Sequence, residues 1–261
     1  MLTYEQSSKE KIIKSIQSNN ALLIDFDGTL MDYKLNEKKA LEKLFININL
    51  PNYLHSQAIK DYTTFNESYW KLFDSKKITI EEARHGGWED FITKYELNST
   101  SKNLNSRFLE FLVQTTSIDS KVIKVLKNLK FLGTHIIIIT NGVQVTQSRR
   151  LENSGILSII DTFFTSESVG FAKPHPKMFL DSKKFLESIN CPTNDIWVVG
   201  DSFESDIKGA FHVGYNTCWI TNEKNREVLD SEGSFPTAIA NNFIEFAEFY
   251  QQIKSKSEKL F

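Results

Sequence analysis

Asp25 and Asp27 stand two residues apart in DFDGTL, directly after the apolar run ALLI. Along an extended segment residues i and i+2 share a face, so both carboxylates are expected on one side of a strand end. Two close carboxylates repel unless a cation lies between them or one holds a proton. The spacing therefore suits a hard ion such as Mg2+ and split acid and base roles. Two aspartates capping a loop would read the same way, and the pair alone does not separate the readings.

Three further segments carry residues that could act with this pair. Thr140, Asn141 and Gly142 follow the run HIIII. A hydroxyl beside backbone N–H groups at a strand-to-helix turn makes an anion cradle, although TNG is also an ordinary turn. Lys173 precedes Pro174 in GFAKPHP. The proline bars helical continuation through the lysine and holds it in an extended loop, where a lone lysine is ordinarily solvated. Gly200, Asp201 and Asp206 lie in GDSFESD after the run IWVV. Asp201 is placed to bind a metal from a neighbouring strand end, and Asp206, in the first turn of the next helix, to orient waters or the lysine. Capping of that helix by Ser202 or Asp201 is an equally available use of these residues.

These segments need a common scaffold. Residues 21–25, 135–140 and 196–201 are apolar runs ending in polar residues. Runs without alternation suit strands covered on both faces, as in a parallel sheet. Helical spacing at Val122, Val125, Leu126 and Leu129, and helix-length segments at 175–189 and 203–213, separate the later strands. The expectation is an α/β doubly wound, Rossmann-like parallel-sheet core with ligands at the carboxyl ends of its strands. The interval between the first two strands is too long for a crossover and must hold a second unit. Helical stripes at Leu41, Leu44, Phe45 and Ile48, at Tyr62, Phe65 and Tyr69, at Trp88, Phe91, Ile92 and Tyr95, and at Phe108, Phe111, Leu112 and Thr115 make it an all-helical insertion. The predicted division is a core of 1–31 and 118–261 with a helical domain of 32–117. The closing KSKSEKLF reads as a frayed, solvated tail.

At 261 residues, and roughly 150 residues per domain, one large domain carrying a smaller one is expected. Lys plus Arg total 31 against 33 Asp plus Glu, a formal charge of −2. That balance offers no cationic surface for a nucleic acid polymer. Cys191 and Cys218 cannot form a disulfide framework, though one bridge between them is conceivable, and no His spacing suggests zinc. A polar N-terminus and the lack of a long apolar run point to a cytoplasmic protein with no membrane partner. Oligomeric state is not readable.

Four motifs in this order, each at a strand end, resemble the haloacid dehalogenase (HAD) superfamily of hydrolases. DFDGTL, TNG, AKP and GDSFESD carry the likeness over about residues 19–31 and 118–222. The insertion resembles that superfamily's type 1 cap. TNGVQVTQSRRLENSGI, FFTSESVGFAKPHPKMFLD and GDSFESDIKGAFHVGYNTCW resemble the YjjG-type branch of pyrimidine 5'-nucleotidases, as does FNESYWKLFDSKKITIEEARHGGWEDF in the insertion. The N-acylneuraminate-9-phosphatases share much of the pattern.

The resemblance implies a phosphomonoester hydrolase working through an aspartyl-phosphate. Asp25 would be the nucleophile, and Asp27 the acid for the leaving alkoxide and base for water. Mg2+ would be held by Asp25, the backbone carbonyl of Asp27, and Asp201. Thr140, Asn141 and Gly142 would bind the phosphoryl oxygens, Lys173 would offset charge, and Asp206 would order the groups behind them. It also implies that dehalogenases usually lack an acid at the position of Asp27, so its presence favours a phosphatase, with a small phosphomonoester such as a nucleoside 5'-monophosphate as partner. Phe65, Tyr69, Trp70 and Trp88 could stack on a base, but their helical spacing is explained by the insertion's own core. Arg84 and His85 could meet a polar substrate group or face water, and Gly86-Gly87 is a hinge or turn candidate. The contrasting class is a non-catalytic phosphate-ligand sensor, which needs the cradle but not both Asp25 and Asp27.

Overall fold

A computed structural model of the chain describes residues 9–18, 20–75, 77–222, 233 and 236–258. The elements in order are α1 (Lys9–Ser18), β1 (Ala21–Ile24), α2 (Tyr33–Asn47), α3 (His55–Asp74), α4 (Ile80–Lys94), α5 (Ser101–Thr115), α6 (Ser120–Phe131), β2 (His135–Thr140), α7 (Gln144–Asn153), β3 (Thr162–Thr165), α8 (Ser166–Val169), α9 (Lys177–Ser188), β4 (Trp197–Gly200), α10 (Gly209–His212), β5 (Asn216–Ile220), β6 (Ala238–Ala240) and α11 (Phe243–Glu258). They divide into two compact units, Met1–Asp32 with Ser117–Phe261, and Tyr33–Thr116.

The first unit is built on a sheet of order β3-β2-β1-β4-β5-β6, every pairing parallel. Its central strands carry uninterrupted apolar runs because both faces are covered. Leu22, Ile24, Ile136, Ile138, Trp197 and Val199 join one core with Ile16 of α1, Leu126 of α6, Leu151 of α7 and Phe246 of α11. Their neighbours Ala21, Leu23, Ile137, Ile139 and Val198 join the opposite core with Met178, Phe179 and Leu186 of α9 and Ala210 of α10. Each fully buried Leu or Ile contributes about 1.5–3 kcal/mol, so β1 to β4 anchor the unit. Strand order runs outward in both directions from the β1/β4 pair. That makes the carboxyl ends of β1 and β4 a topological switch point, the place where open α/β sheets bind ligands.

The expected doubly wound sheet is therefore present, with β3, β5 and β6 added to the three strands read from sequence. The segment expected as a helix at 203–213 is a π-helical turn over Phe203–Lys208 that runs into the short α10. Ser202 caps it by accepting from Ser205 N. Both cysteines are buried free thiols. The tail expected at KSKSEKLF is instead helical through Glu258, because α11 continues with Ile253 and Lys254 buried. Residues 259–261 lie outside the described residues.

The second unit is wholly helical among its described residues, and the predicted stripes fall on α2 to α5. Leu41, Leu44, Phe45, Tyr62, Trp88, Phe91, Phe108 and Leu112 form its core. Trp88 is 1% exposed, with its ring 4.0 Å from that of Tyr62. Gly86 and Gly87 lie inside α4 rather than at a turn. A Cβ at Gly87 would sit 3.0 Å from the Asn66 backbone, and one at Gly86 would strike the Tyr69 ring. Their helical penalty of about 1 kcal/mol each is offset by the close approach of α3 and α4 that only glycine allows. Arg84 and His85 both face Glu81, at 3.0 and 3.5 Å.

Candidate active site

Lys173 sits where the polar ends of the strands meet. It is 5% exposed, and a buried ammonium requires three acceptors and compensating charge. Its Nζ donates to Asp25 Oδ1 at 2.7 Å, Asp206 Oδ1 at 2.7 Å and the Ile139 carbonyl at 2.9 Å. Asp25 follows β1 directly, its N–H bonded to Val199 O across the switch point. Asn141 locks the lysine's backbone on both sides, accepting from Lys173 N at 2.8 Å and donating to Lys173 O at 3.0 Å. Burial pulls the Lys173 pKa down, but Asp206 and Asp25 outweigh it and hold the ammonium above its ordinary value.

Asp201 completes an acidic group. One carboxylate oxygen from each of Asp25, Asp201 and Asp206 lies within 4.8 Å of the others. Gly28, at φ +92°, makes this possible, since a Cβ there would lie 2.2 Å from Asp201 Oδ2. Thr29 Oγ1 lies 3.2 Å from Asp25 Oδ2 and 3.5 Å from Asp201 Oδ1. Burial raises the Asp25 carboxyl well above its usual range; Lys173 opposes this, while Asp206 and Asp201 add to it. Packing around the carboxylate of Asp201, and then the charge of Asp206, push that group up to about 6. Three carboxylates thus face one ammonium. The deficit of positive charge and the all-oxygen donor set both fit a hard divalent cation, with solvent-exposed Asp201 on the open side.

The phosphate-cradle candidates lie at the end of β2, next to α7. Thr140 Oγ1 accepts Gln147 Nε2 at 2.7 Å, which leaves its own proton free to be donated. Gly142 packs against the same side chain, with a Cβ position 2.9 Å from Gln147.

Asp27 lies just before the turn at Gly28 and is not among the acceptors of Lys173. Its carboxylate is taken instead by Arg150, with Nη2 to Oδ1 at 2.6 Å and Nη1 to Oδ2 at 2.8 Å, and by Gln147 Nε2 at 3.0 Å. The side-chain oxygens of the acidic group come from Asp25, Asp201 and Asp206, and the contribution expected of Asp27 to a metal is its backbone carbonyl.

Arg150, Gln147 and Thr29 were not singled out from sequence. A signal for the first two exists. Gln147, Arg150, Leu151 and Ser154 follow i, i+3, i+4, i+7; the first three form the buried face of α7 and Ser154, also buried, ends it. A charge on the inward face of a helix requires a partner, and the DFDGTL acids supply it.

A family model described as haloacid dehalogenase-like hydrolase matches residues 22–220. The HAD-hydrolase YfnB of Bacillus subtilis is 30% identical over 76% of this chain and 83% of its own length. The pyrimidine 5'-nucleotidase YjjG of Escherichia coli is 28% identical over 87% of this chain and 96% of its own. A crystal structure of YfnB bound to magnesium superposes with a TM-score of 0.75 over 89% of this chain and 98% of that one, at 28% identity.

Proposed function

Because this chain belongs to the haloacid dehalogenase-like hydrolase family, we propose that it hydrolyses small phosphomonoesters through a covalent intermediate on Asp25, with pyrimidine nucleoside 5'-monophosphates as the preferred class. The observation that carries this reading is the buried Lys173, held between Asp25 and Asp206 beside an acidic group open at Asp201. The similarity to YjjG over most of both chains supports the substrate class.

In the first step an Asp25 oxygen attacks phosphorus while the bond from phosphorus to the ester oxygen breaks, and the departing alkoxide takes a proton from Asp27. The alcohol leaves, and the phosphoryl group stays on Asp25. In the second step water attacks phosphorus and yields a proton to Asp27, the bond from phosphorus to Asp25 breaks, and inorganic phosphate departs. Lys173 limits the repulsion between Asp25 and the incoming dianion, and Thr140 with the N–H groups of Asn141 and Gly142 binds the phosphoryl oxygens. Asp206 holds the lysine in place. Asp25, Asp201 and the backbone carbonyl of Asp27 would hold Mg2+, the ion bound in the YfnB structure; it would supply further neutralisation of the phosphate.

The test is phosphate release from a panel of nucleoside monophosphates, N-acylneuraminate 9-phosphate and small sugar phosphates, with Mg2+ and with chelator. Turnover that needs the ion and is highest on UMP, dUMP or dTMP is expected. A preference for the sialic acid phosphate would replace the substrate class and leave the chemistry standing. Ligand binding without turnover on any ester would make the protein a phosphate-ligand sensor.

A further inference from the structure

Asp27 is gripped by two side chains that have no part in the chemistry described above. Arg150 is 1% exposed and lies over the Phe26 ring at 5.0 Å, so its guanidinium is fixed before it meets the carboxylate. It binds both oxygens of Asp27 through parallel donors, the geometry in which a guanidinium fixes the plane of a carboxylate as well as its position. Gln147 Oε1 accepts from Arg150 Nη1 at 2.8 Å, while its Nε2 serves both Asp27 Oδ2 and Thr140 Oγ1. The proton-transferring carboxylate and the phosphate-binding hydroxyl therefore share one amide.

We propose that Arg150 and Gln147 are positioning residues for proton transfer, setting the orientation from which Asp27 serves the leaving group and the attacking water. The proposal rests on the assignment of Asp27 in the phosphatase reading. Neither residue need touch substrate. Lysine at position 150 would supply charge without the two-pronged geometry, so Arg150→Lys would recover only part of the function.

A general acid matters most for a poor leaving group, which separates positioning of Asp27 from general support of the fold. In Arg150→Met, kcat/KM for an alkyl phosphate is expected to fall by about 10²-fold or more, the usual span of general acid catalysis. For p-nitrophenyl phosphate, whose leaving group departs without a proton, kcat/KM should fall less than about tenfold. The same aryl ester should then show a burst of nitrophenol, because water attack on the phosphorylated enzyme still needs Asp27. Arg150→Lys should lie between wild type and Arg150→Met, and Gln147→Met, which leaves the guanidinium in place, should show the same skew more weakly. If the methionine variant at 150 does not fold, the lysine and Gln147 variants carry the test. Equal losses on both ester classes, in variants whose melting is unchanged, would overturn the positioning role while leaving the phosphatase intact. A wild-type protein inert on both classes would overturn the phosphatase reading and this inference with it.

Discussion

Asp25→Asn is expected to lower kcat by at least about 10⁴-fold, the scale of removing a nucleophile that acts with its partners as a unit. The amide keeps the size of the carboxylate and can still accept from Lys173, so the fold has no reason to change. Stability should move the other way. Asp25 is a buried acid beside Asp201 and Asp206, and burial with their charges raises its carboxyl well above its usual range. Removing that charge relieves repulsion at neutral pH, so the thermal midpoint should hold or rise while turnover disappears, as at sites where function is kept at the expense of stability. Phosphate release and a melting curve on the same preparation check both halves. Activity within tenfold of wild type would remove Asp25 from the chemistry.

Lys173→Met should disable the site and loosen the unit that holds it. The ammonium is the shared partner of Asp25 and Asp206, both with almost fully buried side chains. Breaking a buried ion pair by deleting one partner typically costs about 3–5 kcal/mol, because the remaining charge is left uncompensated. Here two carboxylates would be left. The loss should depend on pH in a defined sense. Without the lysine nothing offsets the burial that already raises the Asp25 carboxyl, so the native state binds more protons than the unfolded one across the interval between the ordinary carboxylate value and the raised one. Stability then falls as pH rises through that interval. The deficit of the variant should be complete near neutral pH and shrink on acidification, and Lys173→Met combined with Asp206→Asn should recover part of it. Denaturation midpoints at about pH 5 and pH 8 give the comparison; a deficit that grows on acidification would contradict the assigned charge balance.

The parts of the fold legible in the sequence were those whose burial leaves a compositional trace. ALLI, HIIIIT and IWVVG read as strands because each is covered on both faces, and that coverage demands uninterrupted apolar residues. β3 and β6, four and three residues long, were not legible. TFFT lies at the edge, mostly half-buried, and AIA is too short for any periodicity to register. The helical insertion was readable from its aromatic stripes, but the glycine pair within it was not. Gly86-Gly87 has the local signature of a turn, and its reason for being helical is the α3 backbone opposite Gly87, a tertiary fact.

At the candidate site, motif order brought Asp25, Lys173, Asp201 and Asp206 to attention, and the structure assembles them around one ammonium. The partners of Asp27 were hidden because Gln147 and Arg150 stand 120 and 123 residues further along the chain. Lys173 illustrates the opposite case: a lone lysine in a loop is ordinarily solvated, and only the acids converging from β1 and β4 explain its burial. Arg150 was hidden for a related reason. In QSRRLE it reads as one of several charges on a helix surface, and its inward position shows only when Leu151 and Ser154 are placed on the same face.

The most direct test is the stereochemical course at phosphorus, measured on a phosphorothioate ester made chiral with an oxygen isotope and hydrolysed in water carrying a third isotope, so that the released thiophosphate is itself chiral. A covalent route through Asp25 requires two in-line displacements, each inverting the centre, so the released thiophosphate should show net retention. Net inversion would mean that water attacks the ester directly, and would contradict an aspartyl-phosphate on Asp25.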